Sequence, residues 1–280
     1  VKAIVNAMSV DVEDYFQVSA FENHIDRSQW DSLPHRVVNN TNRILDLFAQ
    51  NDTRATFFVL GWVAERYPQL VQRIITEGHE LASHGYGHLR ATQQSREQFK
   101  EDVTRAKYLL EDIAGTKVKG YRAPSYSINK SNLWVHDELL EAGYVYSSSV
   151  YPVKHDLYGI PDAPRFAYQC NNGLLEIPIT TAQLLGKNFP AGGGGFFRLY
   201  PYSLSRWNIQ QVNNRDKQVA IFYFHPWEID PEQPRQEGIS LKSRFRHYLN
   251  LDKTENRLKR LLNDFQWQRM DSLFLNKQAA

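Results

Sequence analysis

Seven short, nearly continuous apolar runs, spaced along 280 residues and alternating with helical patterns, constrain this chain more than any other feature. They are "AIVNAMSV" (3–10), "ATFFVL" (55–60), "HELAS" (79–83), "VKGYR" (118–122), "YVYSS" (144–148), "LLEIPI" (174–179) and "VAIFYF" (219–224). Strands with few polar positions must be covered on both faces, which is the condition of a parallel sheet wrapped by helices. The helical patterns agree. Residues 95–115 begin with Ser95 and Gln98 in capping-box spacing, carry Phe99, Val103, Ala106, Leu110 and Ile113 on one face, and stop at Gly115. Residues 131–143 follow the same grammar, and 254–265 place Leu258, Leu261, Leu262 and Phe265 on one stripe. The alternation predicts an α/β fold with a mainly parallel sheet, either closed as a barrel or open and doubly wound.

Composition narrows the class. A length of 280 residues suits one α/β barrel, and 42% hydrophobic with 23% charged residues is the balance of a chain that buries a substantial core. Thirty-three basic against 31 acidic residues, with no basic stripe, carry no nucleic-acid footprint. The single cysteine, Cys170, excludes an internal disulfide and a cysteine-based zinc site, and its turn "YQCNNG" offers no basic partner, so it reads as a spectator. No run approaches the ~20 apolar residues of a membrane span, and the N-terminal stretch lacks the features of a secretory signal. A cytoplasmic location is therefore expected, although the chain starts at Val rather than Met. Residues 150–216, rich in proline and holding Gly192–Gly195, read as long loops over one face; "AGGGGFF" lacks the Gly-Lys-Ser/Thr ending of a phosphate loop.

Four polar clusters stand at the carboxyl ends of predicted strands, where active-site groups gather in parallel α/β folds. "SVDVEDYF" (9–16) brings Asp11, Glu13 and Asp14 into an otherwise apolar stretch, costly unless they are solvated, paired or bound to a cation. "LASHGYGH" (81–88) holds His84 and His88 in a glycine-rich loop that can wrap two imidazoles around one ion; two histidines with one carboxylate form a common catalytic zinc set. In "GYRAPSYSI" (120–128), Arg122 can keep a carboxylate ionised, and Tyr126 can offer a backbone N–H to an oxyanion. In "IFYFHPWEIDPEQP" (221–234), His225 ends the most apolar run, where a histidine is either a satisfied strand-end residue or a general acid, and Trp227 beside it is a candidate for lining the cleft. Each cluster alone has a plain structural explanation. Four together supply metal ligands, a base, an arginine to hold it, and an acid.

In that order the motifs resemble the polysaccharide deacetylases of the NodB-homology type, carbohydrate esterase family 4, over about residues 9–230. More narrowly, "SVDVEDYFQV", "GIPDAPRF", "GGGGFFRLYP" and "FHPWEIDPEQP" are similar to the subgroup found with exosortase and exopolysaccharide loci. The resemblance implies a distorted (β/α) barrel of about seven strands with long loops on the active-site face, one domain over 1–280, a core of about 1–230 and a helical C-terminal extension of about 235–280. It also implies a divalent metal, zinc first with cobalt or nickel as alternatives, and hydrolysis of N-acetyl groups on the amino sugars of a bacterial polysaccharide. Asp11 matches the general base, His84 and His88 the metal histidines, Arg122 the brace of the base, Tyr126 the oxyanion donor and His225 the general acid. The ligand acid of the family usually follows the base directly, but Val12 stands there, which leaves Glu13 or Asp14 to complete the site. The aspartate that orients the acid histidine is also absent: "YVYSSSVYP" has Ser147 instead, with Asp156 and Asp162 as substitutes. Two other readings compete. One is a same-fold amide hydrolase for small metabolites, allantoinase- or deformylase-like; the other is a glycan-binding homologue with impaired catalysis, motivated by Ser147. Partners other than a glycan, and the oligomeric state, are not specified.

Overall fold

A computed structural model describes residues 3–156 and 158–275; residues 1–2 and 157 of the expected core and 276–280 of the expected C-terminal extension lie outside the described residues. All seven apolar runs contain strands: β1 (Val5–Val12), β2 (Thr56–Val59), β3 (Glu80–Ser83), β4 (Gly120–Tyr121), β5 (Tyr146–Ser147), β7 (Leu175–Glu176) and β10 (Ile221–Phe224). They pair in the order β10-β1-β2-β3-β4-β5-β7, every pair parallel. The short β6 (Tyr168–Gln169) adds antiparallel to the β7 edge, and β11 (Gln266–Gln268) pairs with the start of β1. The result is the expected distorted barrel.

Helices cover its outside: α1 (Val37–Gln50), α2 (Gly61–Arg66), α3 (Pro68–Thr76), α4 (Arg96–Ala114), α5 (Val135–Glu141), α6 (Gly194–Leu199), α7 (Tyr202–Asn214), α8 (Leu241–Tyr248), α9 (Leu251–Asp264) and α10 (Met270–Phe274). No helix among the described residues is long and apolar enough to cross a membrane. Residues 150–216 hold more regular structure than expected, namely the hairpin of β8 (Thr181–Leu184) and β9 (Lys187–Pro190), then α6 and α7. Prolines at its edges, and a helix whose apolar stripe is diluted by Asn and Gln, hide this order from periodicity. The C-terminal segment is likewise more than helical, because β11 enters the sheet.

Side-chain alternation divides the core in two. Met8, Val10 and Val12 of β1, Phe57 and Val59 of β2, Leu81 of β3 and Phe222 and Phe224 of β10 pack outward under the helices. Ala7, Phe58, Ala82, Ile221 and Tyr223 point into the barrel with Tyr126, Tyr146 and Tyr151. The inward rows therefore run 7-9-11, 80-82-84, 120-122 and 221-223-225. Each ends, on the same side of the barrel, in one of the polar residues singled out above.

The glycine run has a structural use. Between β7 and β10 the barrel wall is completed by residues 190–193: Tyr223 N–H donates to Gly192 O at 2.7 Å, and Ala191 N–H to Thr180 O at 3.1 Å. Gly193 has φ 112°, and a Cβ there would stand 2.1 Å from Tyr223 O. Only glycine brings the backbone this close to β10.

Candidate metal centre and active site

Asp11, the last inward residue of β1, is 2% exposed and receives Arg122 Nη1 at 2.6 Å. Arg122, fully buried at the end of β4, also donates to Ser9 Oγ (2.8 Å), Ser148 O (3.1 Å) and Ser148 Oγ (3.0 Å). A guanidinium so fully partnered has one orientation, and it stands as a fixed cation beside Asp11.

His84 follows β3. Its Nδ1 lies 2.8 Å from Arg122 O, an atom that only accepts, so Nδ1 carries the proton and Nε2 presents a lone pair. Burial pushes its pKa down to about 4, which keeps the ring neutral. The loop that follows is held from below: Gly61 N–H and Trp62 N–H at the start of α2 donate to Gly85 O and Tyr86 O, both at 2.9 Å. Asp102 of α4 accepts from Tyr86 N–H at 3.1 Å. The loop then delivers His88 with its ring centre 5.4 Å from that of His84.

Glu13 meets both. Its Oε2 is 2.7 Å from His88 Nε2 and 3.9 Å from His84 Nε2, and the three ligand atoms lie within 4.8 Å of one another, all buried. Oε2 makes no aligned hydrogen bond, which for a carboxylate 2% exposed is a large unmet cost. A divalent cation between Glu13, His84 and His88 would satisfy the orphan oxygen and the free imidazole lone pair together, so the residues fit the expected metal. Burial raises the Glu13 pKa, but His88 and His225 outweigh it and hold the carboxyl well below its usual range.

Asp14 does not join them. Its Oδ2 accepts from Arg36 N–H (2.7 Å) and Val37 N–H (2.9 Å) at the start of α1, and its Oδ1 from Tyr15 N–H (2.9 Å). It caps a helix instead of facing the histidines.

His225 closes the cluster from β10, with Nε2 3.7 Å from Glu13 Oε1 and 3.9 Å from Asp11 Oδ2. Burial lowers its pKa, yet the carboxylates of Glu13, Glu228 and Asp11 prevail and push it up to about 9. Its orienting partner is Glu228, whose Oε1 sits 2.6 Å from Nδ1 and also accepts the His225 N–H at 3.1 Å. Glu228 is in turn held by Arg198 Nε at 2.6 Å, and Arg198 is tied to the carbonyls of His247, Leu249 and Arg246. Neither Asp156 nor Asp162 serves here: the first pairs with Lys242 and Arg246, the second with Lys130. Sequence reading missed Glu228 although "HPWE" contains its signal, a carboxylate three residues after a strand-end histidine in a Pro-led turn.

Two residues are used differently from expectation. Trp227 is 6% exposed and sandwiched between His225 and His247, with ring centres at 5.2 and 4.3 Å and interplanar angles of 18° and 13°. With both faces covered it offers no stacking platform to a sugar; its Nε1 instead donates to Glu13 Oε1 at 3.1 Å. Tyr126 N–H, the expected oxyanion donor, is given to Ala123 O at 3.1 Å within a tight turn, and its ring packs on Tyr151 and Tyr223.

The family model described as "Polysaccharide deacetylase" matches residues 28–146, which carry the His84–His88 loop and Arg122. Over these residues the chain is similar to the polysaccharide deacetylase family. A second model, a domain of unknown function termed DUF3473, matches residues 148–275, including His225, Glu228 and Arg198, and is in keeping with the narrower subgroup. The boundary falls at β5, within the sheet, so both matched regions build one barrel. Among curated relatives, two peptidoglycan-N-acetylglucosamine deacetylases of Bacillus cereus are 32% identical over 99 residues (35% of this chain, 36% of the relative) and 35% identical over 104 (37% and 47%). The match thus spans between about a third and a half of the length of these two relatives. A crystal structure from Mycobacterium smegmatis assigned as a polysaccharide deacetylase is similar over 99% of this chain and 95% of that one, with TM-score 0.60 and 18% identity. The Xyl-CE4 domain of a multidomain xylanase from the Trinervitermes trinervoides hindgut metagenome follows over 100% and 93%, with TM-score 0.50 and 14% identity. At these identities the likeness is one of fold.

Proposed function

We propose that the protein is a metal-dependent N-deacetylase of amino sugars in a bacterial polysaccharide. The observation that carries this reading is the convergence of Asp11, Glu13, His84, His88, Arg122 and His225, from four strand ends, on one buried point. Glu13, His84 and His88 would hold the cation, with zinc the first choice for two imidazoles and one carboxylate and cobalt or nickel as alternatives. When bound, such an ion supplies Lewis acidity to an acetyl carbonyl and acidity to a water.

The chain's own residues supply the rest. Asp11, paired through Oδ1 with Arg122, takes the proton of the attacking water through Oδ2. His225, charged and fixed through Nδ1 by Glu228, keeps its Nε2 proton facing the site and gives it to the departing amine. Tyr126 N–H would serve the oxyanion only by exchanging its bond to Ala123 O, so a cation held by Glu13, His84 and His88 would supply most of the electrostatic stabilisation, with His225 beside it. Glu228 weighs against a silent glycan binder, because the carboxylate missing at Ser147 is supplied from another element. The relatives acting on peptidoglycan N-acetylglucosamine support the substrate class.

Acetate release from N-acetylated chitooligosaccharides by metal-replete protein tests the reading. Activity is expected, and His84→Ala should lose both metal and acetate release. Hydrolysis of small amides alone, or a variant that keeps both properties, would overturn it.

A further inference from the structure

Beside the catalytic residues, and sharing Trp227 with them, a cleft of about 360 Å³ opens between α6 and α8. Val18, Phe196, Leu199, Trp227, Phe245 and Leu249 make most of its wall apolar, with Arg198, Lys242, Arg246 and His247 set among them. The apolar surface continues outside the cleft. On α8, Leu241 is 82% and Phe245 57% exposed, four residues apart on one face, and Leu199 of α6 is 46% exposed opposite them. Leaving such side chains in water is unfavourable by the same apolar-area term that builds the core.

The same helix, "LKSRFRHY", carries Lys242, Arg244 and Arg246 and no acid. Asp156 accepts from Lys242 at 2.6 Å and Arg246 at 3.3 Å, one carboxylate against two cations. Arg244 makes no ion pair among the described residues. His155, stacked on Tyr158, also lines the cleft. Exposed Leu and Phe interleaved with cations are the pattern of a helix that lies in a membrane interface.

We propose that the α6–α8 face docks the protein on an anionic lipid surface, with lipid phosphates against Lys242, Arg244 and Arg246 and an acyl chain in the cleft. A sugar subsite would present converging hydrogen-bond groups, whereas the polar groups deepest in this wall are already engaged, Arg198 with Glu228 and His247 Nε2 with Gln233 Oε1. A second copy across a two-fold axis would bring the cations of one α8 toward those of the other. A bilayer with anionic headgroups satisfies both the apolar and the cationic parts. The consequence for function, which rests on the deacetylase reading, is that the catalytic mouth is held at a lipid surface, where a glycan on a lipid carrier would be presented.

The test is co-sedimentation of the full chain, without glycan, with vesicles of phosphatidylcholine alone or mixed with phosphatidylglycerol. Binding to the mixed vesicles only, weakened by salt, is expected. The double variant Leu241→Ser/Phe245→Ser should bind at least about tenfold more weakly, since each buried apolar side chain contributes on this scale. Arg244→Gln should bind about fivefold more weakly, the effect of one cation at a charged surface. Each variant must keep the wild-type melting temperature and metal content, because the altered side chains are exposed. Absence of vesicle binding, equal binding to neutral vesicles, binding unchanged in the variants, or a wild-type dimer dispersed by the double variant would each overturn the proposal. Since no glycan is present, failure here leaves the deacetylase reading standing, and failure of acetate release leaves vesicle binding to be judged alone.

Discussion

Just past β1 the backbone turns, Glu13 N–H reaching back to Asp11 O, so that Glu13 extends the inward row while Asp14 swings toward the first turn of α1. The two acids are adjacent and chemically alike, yet one faces two imidazoles and the other three backbone N–H groups. Glu13→Gln should therefore lower metal affinity by more than about 100-fold, beyond the range seen when supporting residues are lost. Asp14→Ala should leave metal stoichiometry intact and cost about 1 kcal/mol of stability, the usual effect of a lost helix cap. Metal analysis and urea denaturation of the two variants separate these outcomes. At the opposite wall, Glu228→Gln removes the charge that orients His225 while keeping the shape of the Arg198 contact. We expect kcat for acetate release to fall about 100-fold, a typical contribution of a positioned acid, with KM and bound metal unchanged. Residue types and strand-end positions made Asp11, His84, His88, Arg122 and His225 legible in the sequence. The choice between Glu13 and Asp14 was not, because strand periodicity ends at Val12 and a turn decides the rest. Trp227 shows the converse: its position beside His225 was legible, but its covered faces depend on His247, which arrives from α8.

At the scale of elements, a parallel barrel gathers its chemistry at one end because every strand enters from the other, and the glycine-rich loop after β3 must then be stiffened by its neighbours. α2 supplies N–H donors to it and α4 supplies Asp102. Gly85, with φ 75°, leaves room for that carboxylate; a Cβ there would stand 2.8 Å from Asp102 Oδ2. Burial pushes the Asp102 pKa up to about 6, against the pull of the Tyr86 and Gly87 N–H groups, so the structure bears a cost to keep it. Asp102→Ala should free two loop N–H groups and lower metal affinity about 10- to 100-fold, as for outer-shell partners of metal ligands, while leaving the helix in place. Titration with zinc under competing chelator measures this, and far-ultraviolet circular dichroism checks the helix. The strands and α4 were legible because each satisfies its apolar surface locally. The hairpin β8–β9 and α7 were not, because their apolar positions are too few to show a period, and β11 was not, because its partner is distant in sequence, Val5 on Gln266.

Across the whole molecule, the end of the barrel opposite the catalytic mouth is tied to the C-terminal segment through one carboxyl group. Glu80, at the start of β3, accepts from Thr56 Oγ1 of β2 (2.6 Å), from Tyr146 Oη of β5 (2.9 Å) and from Asp271 N–H of α10 (3.0 Å). Burial, with the Asp271 carboxylate nearby, pushes its pKa from 4.5 up to about 7 despite these donors. Because the folded state binds this proton more tightly than the unfolded chain, the stabilisation is complete below pH 4.5 and is lost as pH rises through about 7. Other groups titrate in the same window, so the informative quantity is the difference between wild type and Glu80→Gln, which keeps the shape and an acceptor but cannot ionise. The variant should gain stability relative to wild type between pH 5 and pH 8, read as a diverging pair of urea midpoints. Parallel midpoints across that range would mean that Glu80 is uncharged or equally solvated in both states, and the link between α10 and the barrel floor would then owe its stability to the Met270 N–H on Thr56 Oγ1 and to packing around Met270.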